Sequence, residues 1–317
     1  KIVGSQAQLT KALVTDSISA GTALVTINDA AYSTGNTATI AATALSGIGG
    51  ATTGTVTLQN KVRISGEQSE VTTALIGGSS VVASQAATEA VVTDAVSASE
   101  GAAIANVSKI TGIFSGGLTD SVGNLVTGVT TSANLNTVTT EDTDINITVS
   151  DNAFDATTNT ATIAAAGLSA VKAKTSGTLT VSKAVKIVGS QAQLTKALVT
   201  DSITASTALV TINDNAFHAT TNTATIAATA LSGIGNATTG TVTVSNAIKV
   251  EGTVTQLTDA LVSGSKTVTA GTALVTVTDS AFDATTNTAT IAATTLSGIG
   301  NATTGTVTVS NAIKVEG

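Results

Sequence analysis

An acidic turn that recurs along the sequence has the residue types of a calcium site. Calcium takes about six to eight oxygen ligands, which the carboxylates, amides and carbonyls of one turn can supply. In two copies of the pattern Asp-x-Ala-Phe-Asp-Ala-Thr-Thr-Asn, the candidate ligands are Asp151, Asp155 and Asn159, and Asp279, Asp283 and Asn287. The spacing matches neither an EF-hand nor a glycine-rich calcium repeat. The alternative is therefore a turn in which Asp and Asn bond their own backbone.

The single histidine, His218, lies in the slot that Asp155 and Asp283 occupy in the other copies of this turn. A catalytic base needs a nucleophile and an orienting group, and nothing specific to this copy supplies them. The sequence also lacks Walker-type, HExxH and GxSxG motifs. We therefore expect no enzymatic activity.

Four Asn-x-Ser/Thr sequons are candidate glycosylation sites: Asn106, Asn146, Asn236 and Asn301. Glycosylation requires a secreted or surface location. The alternative is chance, because the chain is rich in Asn and Thr.

Thr-x-Thr pairs, such as Thr241 with Thr243 and Thr306 with Thr308, resemble the threonine ladders of ice-binding solenoids. A continuous face of that kind needs strands at the ~4.8 Å ladder spacing. Here a given pair recurs once per repeat, so the pattern does not favour ice binding.

These residues are carried by a tandem repeat. A segment of 22 residues from Asn36 returns almost unchanged from Asn222 and from Asn287. A second landmark, Lys1-Ile-Val-Gly4, recurs at steps of 62, 62, 61, 63 and 65 residues. The predicted repeats are 1–62, 63–124 (the most divergent), 125–185, 186–248 and 249–313, with the start of a sixth at 314–317. Such arrays are typical of scaffolds rather than of single active sites.

Composition limits the kind of core that this chain can build. Aromatic residues are 2% and charged residues 10%, yet apolar residues reach 42%, mainly Ala, Val, Ile and Leu. Small β-branched side chains suit thin stacked layers better than a large ligand pocket. The absence of Pro fits a continuous hydrogen-bonded ladder, because Pro cannot donate to one.

Charge and hydropathy exclude some classes of partner. The net charge is −7 and the pI about 4.6, with no basic run, so nothing indicates nucleic-acid binding. No apolar stretch approaches the ~20 residues of a membrane span. The absence of Cys excludes disulfides and thiol ligands without fixing a compartment. No cofactor is expected apart from calcium.

Repeat 4 indicates how each repeat folds. After the candidate N-cap Ser190, Leu and Ala recur at the spacing of a short amphipathic helix. The patterns of residues 208–214 and 240–245 predict strands. Residues 223–235 fit a strand leading into a helical turn, but their periodicity does not decide between strand and helix. Strands separated by helical connections tend to pair in parallel. We therefore predict a mainly β fold with short helices, a parallel β-rich repeat solenoid. The alternative is a string of small β-rich domains.

Four aromatic residues share one slot of the repeat: Tyr32, Phe154, Phe217 and Phe282. Large aromatic side chains dominate burial energetics wherever they occur. A buried stack between coils is therefore favoured over an exposed binding stripe.

Three motifs of the last repeat carry a family resemblance: Val275-Thr-Val-Thr-Asp279, Ile291-Ala-Ala-Thr-Thr-Leu-Ser-Gly-Ile299 and Lys314-Val-Glu-Gly317. The chain resembles very long bacterial β-strand-repeat proteins, including cyanobacterial ones, many of which are secreted or on the cell surface. The resemblance covers repeats 1, 4 and 5 well, repeat 3 partly and repeat 2 poorly. It implies an extracellular structural or adhesive role and transfers no catalytic residue.

We therefore expect a non-enzymatic structural protein of an extracellular filament, sheath or surface layer, self-assembling through repeat stacking or strand-edge contacts. Its partners would be copies of itself, with cell-surface glycans as further candidates. The sequence begins and ends at the same phase of the repeat, as expected for a segment of a longer array. The alternatives are an adhesin stalk and a calcium- or glycan-binding surface module.

Overall fold

A computed structural model describes residues 1–33, 39–77, 81–85, 88–262, 268–286 and 288–317. Of these residues, 31% are helical and 29% lie in strands or bridges. The protein is therefore of the α/β class, and the expectation of a mainly β fold is wrong. The reason is that strand connections carry Leu, Ile and Ala at helical spacing and form helices of up to nine residues. The prediction of parallel strands with short helices is confirmed.

The helices are short and lie between strands. They are α1 Gln6–Leu9, α2 Ala42–Gly50, α3 Gln68–Leu75, α4 Ala98–Ala105, α5 Val122–Leu125, α6 Ala133–Glu141, α7 Ala165–Lys172, α8 Gln191–Leu194, α9 Ala228–Asn236, α10 Val254–Leu261 and α11 Ala293–Asn301. Helices α1 and α8 continue as π-helical segments at Thr10–Thr15 and Thr195–Thr200.

The strands are two to five residues long. They are β1 Ile2–Gly4, β2 Val25–Ile27, β3 Thr39–Ala41, β4 Val56–Leu58, β5 Arg63–Gly66, β6 Val81–Ala83, β7 Thr88–Val92, β8 Ile110–Phe114, β9 Leu118–Asp120, β10 Val126–Thr127, β11 Thr130–Thr131, β12 Ile147–Val149, β13 Thr162–Ala164, β14 Leu179–Val181, β15 Lys186–Gly189, β16 Leu209–Ile212, β17 Thr225–Ala227, β18 Val242–Val244, β19 Lys249–Gly252, β20 Val268–Thr269, β21 Leu274–Val277, β22 Thr290–Ala292, β23 Val307–Val309 and β24 Lys314–Glu316.

The chain forms two compact units, each with its own parallel sheets. Unit 1 comprises Lys1–Thr127, Thr131–Thr148 and Ala173–Thr178, and unit 2 comprises Gly128–Thr130, Val149–Lys172 and Leu179–Gly317. Unit 1 contains the sheets β1-β2-β4-β6 and β3-β5-β7-β8. Unit 2 contains the sheets β13-β15-β16-β18-β20, β17-β19-β21-β23 and β22-β24.

Buried β-branched residues from neighbouring strands align as a ladder in the core. In the five-stranded sheet of unit 2, the register aligns one inward residue from each strand: Ile163, Ile187, Val210, Val242 and Val268. Each of the five is at most 2% exposed. Burying such a side chain stabilises the fold by about 1.5–3 kcal/mol. Because every strand is so short, this stabilisation comes from stacking strands rather than from any strand alone.

The predicted helix cap and strands of repeat 4 are confirmed. Ser190 caps α8, since its Oγ accepts from the Gln193 backbone N–H while the Gln193 side chain bonds the Ser190 N–H. The strands predicted at 208–214 and 240–245 are β16 and β18. The undecided segment is the strand β17 followed directly by α9, whose Leu231 and Ile234 are buried.

A lysine–aspartate pair accompanies each π-helical segment. The pairs are Lys11 with Asp16 and Lys196 with Asp201, both at 2.8 Å and five residues apart. The backbone N–H of each aspartate also donates to the carbonyl of its lysine, which is the spacing of a π turn. In repeat 5, Asp259 replaces the lysine and α10 is a regular α-helix. The more exposed of the two pairs, Lys11 with Asp16, contributes about 0–1 kcal/mol, so it favours the π form without dictating it.

Candidate functional site

The strongest candidate for a functional site is the junction at which one repeat joins the next. At four predicted repeat boundaries, a Thr-Ile-Ala strand pairs in parallel with the strand that opens the following repeat. The register is the same each time: Thr39 opposite Arg63, Thr162 opposite Lys186, Thr225 opposite Lys249 and Thr290 opposite Lys314. The sheets therefore run across these boundaries.

An aromatic turn reinforces each junction. The backbone N–H of the aromatic residue donates to a carbonyl just before the opening strand, as from Phe217 to Ala247 at 2.7 Å. A cation of that strand lies over each ring: Arg63 over Tyr32 at 4.1 Å, Lys186 over Phe154 at 5.1 Å, Lys249 over Phe217 at 5.6 Å and Lys314 over Phe282 at 5.7 Å. Exposed contacts of this type are worth about 0.5–1 kcal/mol.

The four aromatic side chains are half-buried, so they do not form the buried stack that composition favoured. They lie in the turn beyond the strand, where they meet the outward-facing cation rather than the core ladder. Side chains along a strand alternate between its two faces. The cation is next in sequence to a buried ladder residue such as Ile187, so it points to the outward face, where it meets the aromatic ring.

A buried threonine ties the end of the helix in each junction to the strand beside it. Thr238 is 4% exposed; its Oγ1 donates to the Ala208 carbonyl at 2.6 Å and accepts from the Gly240 N–H at 3.0 Å. The same two bonds recur at Thr52, Thr175 and Thr303. Glycine follows two residues later because a Cβ at Gly240 would overlap the Ala208 carbonyl. Sequence reasoning missed this role, although Thr-x-Gly recurs at a fixed slot.

The first acid of the predicted calcium turn caps a helix. Asp279 Oδ2 accepts from the backbone N–H of Val254, the first residue of α10, at 2.7 Å. The equivalent bonds are Asp29 to Gln6 at 2.6 Å and Asp214 to Gln191 at 2.5 Å. A carboxylate is stabilised there because helix N-termini carry unpaired N–H groups and a partial positive charge. Asp151, in the same slot of repeat 3, also has a partner within the chain.

The second acid of the turn bonds the backbone two residues on. Asp155 accepts from the Thr157 N–H and Asp283 from the Thr285 N–H, both at 2.7 Å. The backbone N–H of Thr157, followed by that of Thr158, holds the pKa of Asp155 below its usual value. The Thr285 N–H likewise lowers the pKa of Asp283. This geometry is that of an Asx turn.

The remaining candidate ligands do not complete a metal centre in the part of the chain that the structure describes. Asn159 has φ +51°, a left-handed conformation that Asn tolerates better than most residues and that closes the turn. Asn287 lies outside the described residues. Within the described ranges, no three His, Asp or Glu side chains lie close enough to hold a metal ion. Calcium binding stays a prediction.

His218 lies exposed in the same turn. Its Nδ1 is 3.2 Å from Thr221 Oγ1, and its backbone bridges to Thr223 as Asp155 bridges to Thr160. The turn therefore keeps its backbone geometry with either residue, consistent with substitution at a solvent-exposed position.

The four sequon asparagines are exposed. Asn146 Oδ1 accepts from the Thr178 N–H at 2.9 Å and from the Thr178 hydroxyl at 2.7 Å. Asn236 and Asn301 each end a helix, and the threonines of their sequons are the buried Thr238 and Thr303. The recurrence of Asn-Ala-Thr at this slot thus follows in part from the buried threonine bond. Glycosylation stays a prediction.

An open groove lies on the outward sheet face of three repeats. In repeat 4 it has a volume of about 470 Å³ and is lined by Phe154, Lys186, Leu209, Thr211, Thr241 and Thr243. In repeat 5 the equivalent residues are Phe217, Lys249, Leu274, Thr276, Thr306 and Thr308, around about 450 Å³. In repeat 1 they are Lys1, Leu24, Thr26, Thr55 and Thr57, around about 440 Å³. The Thr-x-Thr pairs are visible in the sequence, but the groove of repeats 4 and 5 forms only because the fold brings them beside an aromatic turn.

Comparison of the chain with protein-family models, curated proteins and solved structures finds no match. Among the described residues, no helix is both long and apolar enough to cross a membrane.

Proposed function

We propose that this chain is a non-enzymatic structural protein, a parallel β-rich solenoid of an extracellular filament, sheath or surface layer. The observation that carries the proposal is the recurrence of one junction. Thr162 with Lys186, Thr225 with Lys249 and Thr290 with Lys314 pair in the same register, each with its aromatic turn. A junction that repeats without change favours continued addition of repeats.

The placement of polar side chains supports a structural role. Thr238 bonds the Ala208 carbonyl, Ser245 bonds the Ile212 carbonyl at 3.0 Å, and Asn246 bonds the Asp214 carbonyl at 2.7 Å. Each bond joins residues about 30 positions apart and satisfies a backbone group at a strand end. Side chains used in this way position backbone rather than converge on a substrate.

Self-association would use strand edges and outward faces. Val3, Val309 and Val315 lie on strands yet are 52%, 37% and 51% exposed. Short exposed strands with apolar side chains are ready templates for pairing with another chain. Strands β1 and β23 carry only uncharged side chains, so little charge must be desolvated when they pair. On β24 the two charged residues, Lys314 and Glu316, form an ion pair with each other.

Electron microscopy of the purified chain at high concentration tests the proposal. Ordered fibres are expected, with an axial rise equal to a whole number of repeats. Introducing charge at two exposed strand positions, Val3→Lys with Val315→Lys, should abolish the fibres. Val199→Lys, at a 44% exposed helical position, is the matched control and should leave them intact. Stable monomers of the unmodified chain at high concentration would contradict assembly and favour the adhesin stalk.

A further inference from the structure

We propose that the outward groove of repeat 4 binds an acidic saccharide, with its carboxylate at Lys186 and its sugar ring against Phe154 and the neighbouring threonines. The ligand class is a uronic-acid-containing glycan. Three properties of the groove lead to this choice: unpaired hydroxyls in register, an apolar wall and a cation without an acidic partner.

The hydroxyls form a row across adjacent strands. Thr211 lies opposite Thr243, and Thr243 lies opposite Thr269. Thr211 and Thr243 line the groove, and Thr269 extends the row beyond the lining residues. Within the described part of the chain, these three hydroxyls have no hydrogen-bond partner. Adjacent strands are about 4.8 Å apart, so the row presents closely spaced groups that both donate and accept. Sugar hydroxyls have the same dual character.

The apolar wall is formed by the half-buried ring of Phe154 and by Leu209. A pyranose ring has C–H groups that pack on such surfaces while its hydroxyls stay available. Binding sites for small molecules typically combine an apolar lining with a few placed polar groups. The same combination of wall and hydroxyls recurs in repeat 5 with Phe217 and Leu274.

The two grooves differ in whether their lysine has an acidic partner. In repeat 5, Glu251 lies two residues after Lys249 on the same strand face and forms an ion pair with it. In repeat 4 the slot of that glutamate holds Val188, and among the described residues Lys186 has no acidic partner within 4.0 Å. The groove of repeat 4 therefore keeps a positive charge that the groove of repeat 5 has neutralised. Charge complementarity selects an anionic sugar for the first groove and disfavours it for the second.

Methyl NMR of the intact chain tests the assignment, with trigalacturonate as the probe. The Thr243 methyl should report binding in repeat 4, and the Thr308 methyl should report binding at least tenfold weaker in repeat 5. Val188→Glu, which copies the repeat 5 sequence, should weaken binding at Thr243 about tenfold, because a charge-assisted contact is lost. Glu251→Val should strengthen binding at Thr308 by a similar factor.

Matched controls separate the saccharide from charge and from folding. Val199→Glu adds the same charge at an exposed helical position and should leave the Thr243 response unchanged. The Val188→Glu chain should keep the unmodified melting temperature, since repeat 5 carries glutamate in this slot. Maltotriose and acetate, a neutral sugar and a free carboxylate, should each bind Thr243 at least tenfold more weakly than trigalacturonate.

Three results would overturn the inference: no shift at Thr243 with millimolar trigalacturonate, equal effects of Val188→Glu and Val199→Glu, or equal binding of either control ligand. The inference goes beyond the structural role and does not depend on fibre formation. A chain that forms fibres without binding trigalacturonate would contradict this inference alone.

Discussion

Single residues in this chain act mainly on the backbone of a neighbouring strand. Thr238 is the clearest case, because one hydroxyl both donates to the Ala208 carbonyl and accepts from the Gly240 N–H. The carbonyl belongs to the fully buried Ala208, and the threonine itself is 4% exposed. A buried group left without its partner costs more than an average hydrogen bond contributes. The recurring Thr-x-Gly pair is thus explained by burial rather than by ligand binding.

Thr238→Val tests this account at constant side-chain volume. The variant leaves the carbonyl and the N–H without the hydroxyl, so the free energy of unfolding should fall by about 1–3 kcal/mol. Urea denaturation at equilibrium measures the change. Thr229→Val, on the exposed face of α9, should change it by less than about 0.5 kcal/mol. Equal effects of the two substitutions would show that the loss of any threonine hydroxyl, and not the loss of the buried bond, lowers the free energy of unfolding.

The Asx turns make a prediction about pH. Backbone N–H groups lower the pKa of Asp155 and Asp283 from the ordinary 3.8. Because the folded pKa is depressed, the turns stabilise the fold above the unfolded pKa, and that contribution is lost as the pH falls through the folded pKa. Carboxyl-detected NMR titration should therefore place both midpoints below 3.8. Burial raises the pKa of Asp142, so the same titration should show that carboxyl moving the opposite way.

Thr285→Pro provides the control for this titration, since proline lacks the N–H that Asp283 accepts from. The midpoint of Asp283 should then return towards 3.8, while that of Asp155 should stay where it was. A midpoint of Asp283 that does not move would assign the lowered pKa to another cause.

At the scale of elements, helices are fixed at their N-termini by a strand from later in the chain. Asp214 follows β16 and bonds the first residue of α8, and Asp279 follows β21 and bonds the first residue of α10. Helix α8 itself has only four α-helical residues before its π segment. A helix this short is unstable alone, so its ends depend on such contacts.

Asp214→Ala removes the carboxylate at the start of α8. The free energy of unfolding should fall by about 1–2 kcal/mol, because an N-terminal hydrogen bond and a favourable charge are lost together. Amide hydrogen exchange should show faster exchange at Gln191. Asn213→Ala, at the exposed neighbouring position, should leave both measurements unchanged. Unchanged exchange at Gln191 in the Asp214 variant would contradict the capping role.

At the scale of the whole molecule, junctions rather than repeats are the recurring unit of structure. Strand β15 belongs to one predicted repeat and pairs with β13 of the preceding one, and β19 does the same with β17. For the solenoid that we propose, stability would be roughly a sum of repeat and nearest-neighbour terms. Lengthening the chain by one junction should therefore add stability in a predictable way.

A further copy of residues 249–313 inserted after Ile313 tests additivity. The urea m-value should rise by about a fifth, since it scales with the surface exposed on unfolding. The urea concentration at the midpoint of unfolding should also rise, because the added junction buries residues of the preceding repeat that are exposed in the unextended chain. A Gly/Ser extension of equal length should change neither. A separate second transition for the inserted copy would instead favour independent domains.

Much of the local structure could be predicted from the sequence because it depends on neighbouring residues. Ser190 and Gln193 are three positions apart, so the capping box can be recognised from the sequence alone. The alternation around Val210 and Val242 likewise marks strands of period two. The helical share was underestimated because Leu231 and Ile234 fit either a strand or a helix over so few residues.

By itself, the sequence determined the repeat, the short strands, the helix caps and the polar turn. Only the tertiary structure decided that Phe217 is half-buried under Lys249, that Asp279 caps a helix, and that Thr238 is buried. The physical reason is distance along the chain. Each of these roles joins residues about 25 to 35 positions apart, and the register of parallel strands that brings them together cannot be read from either residue alone.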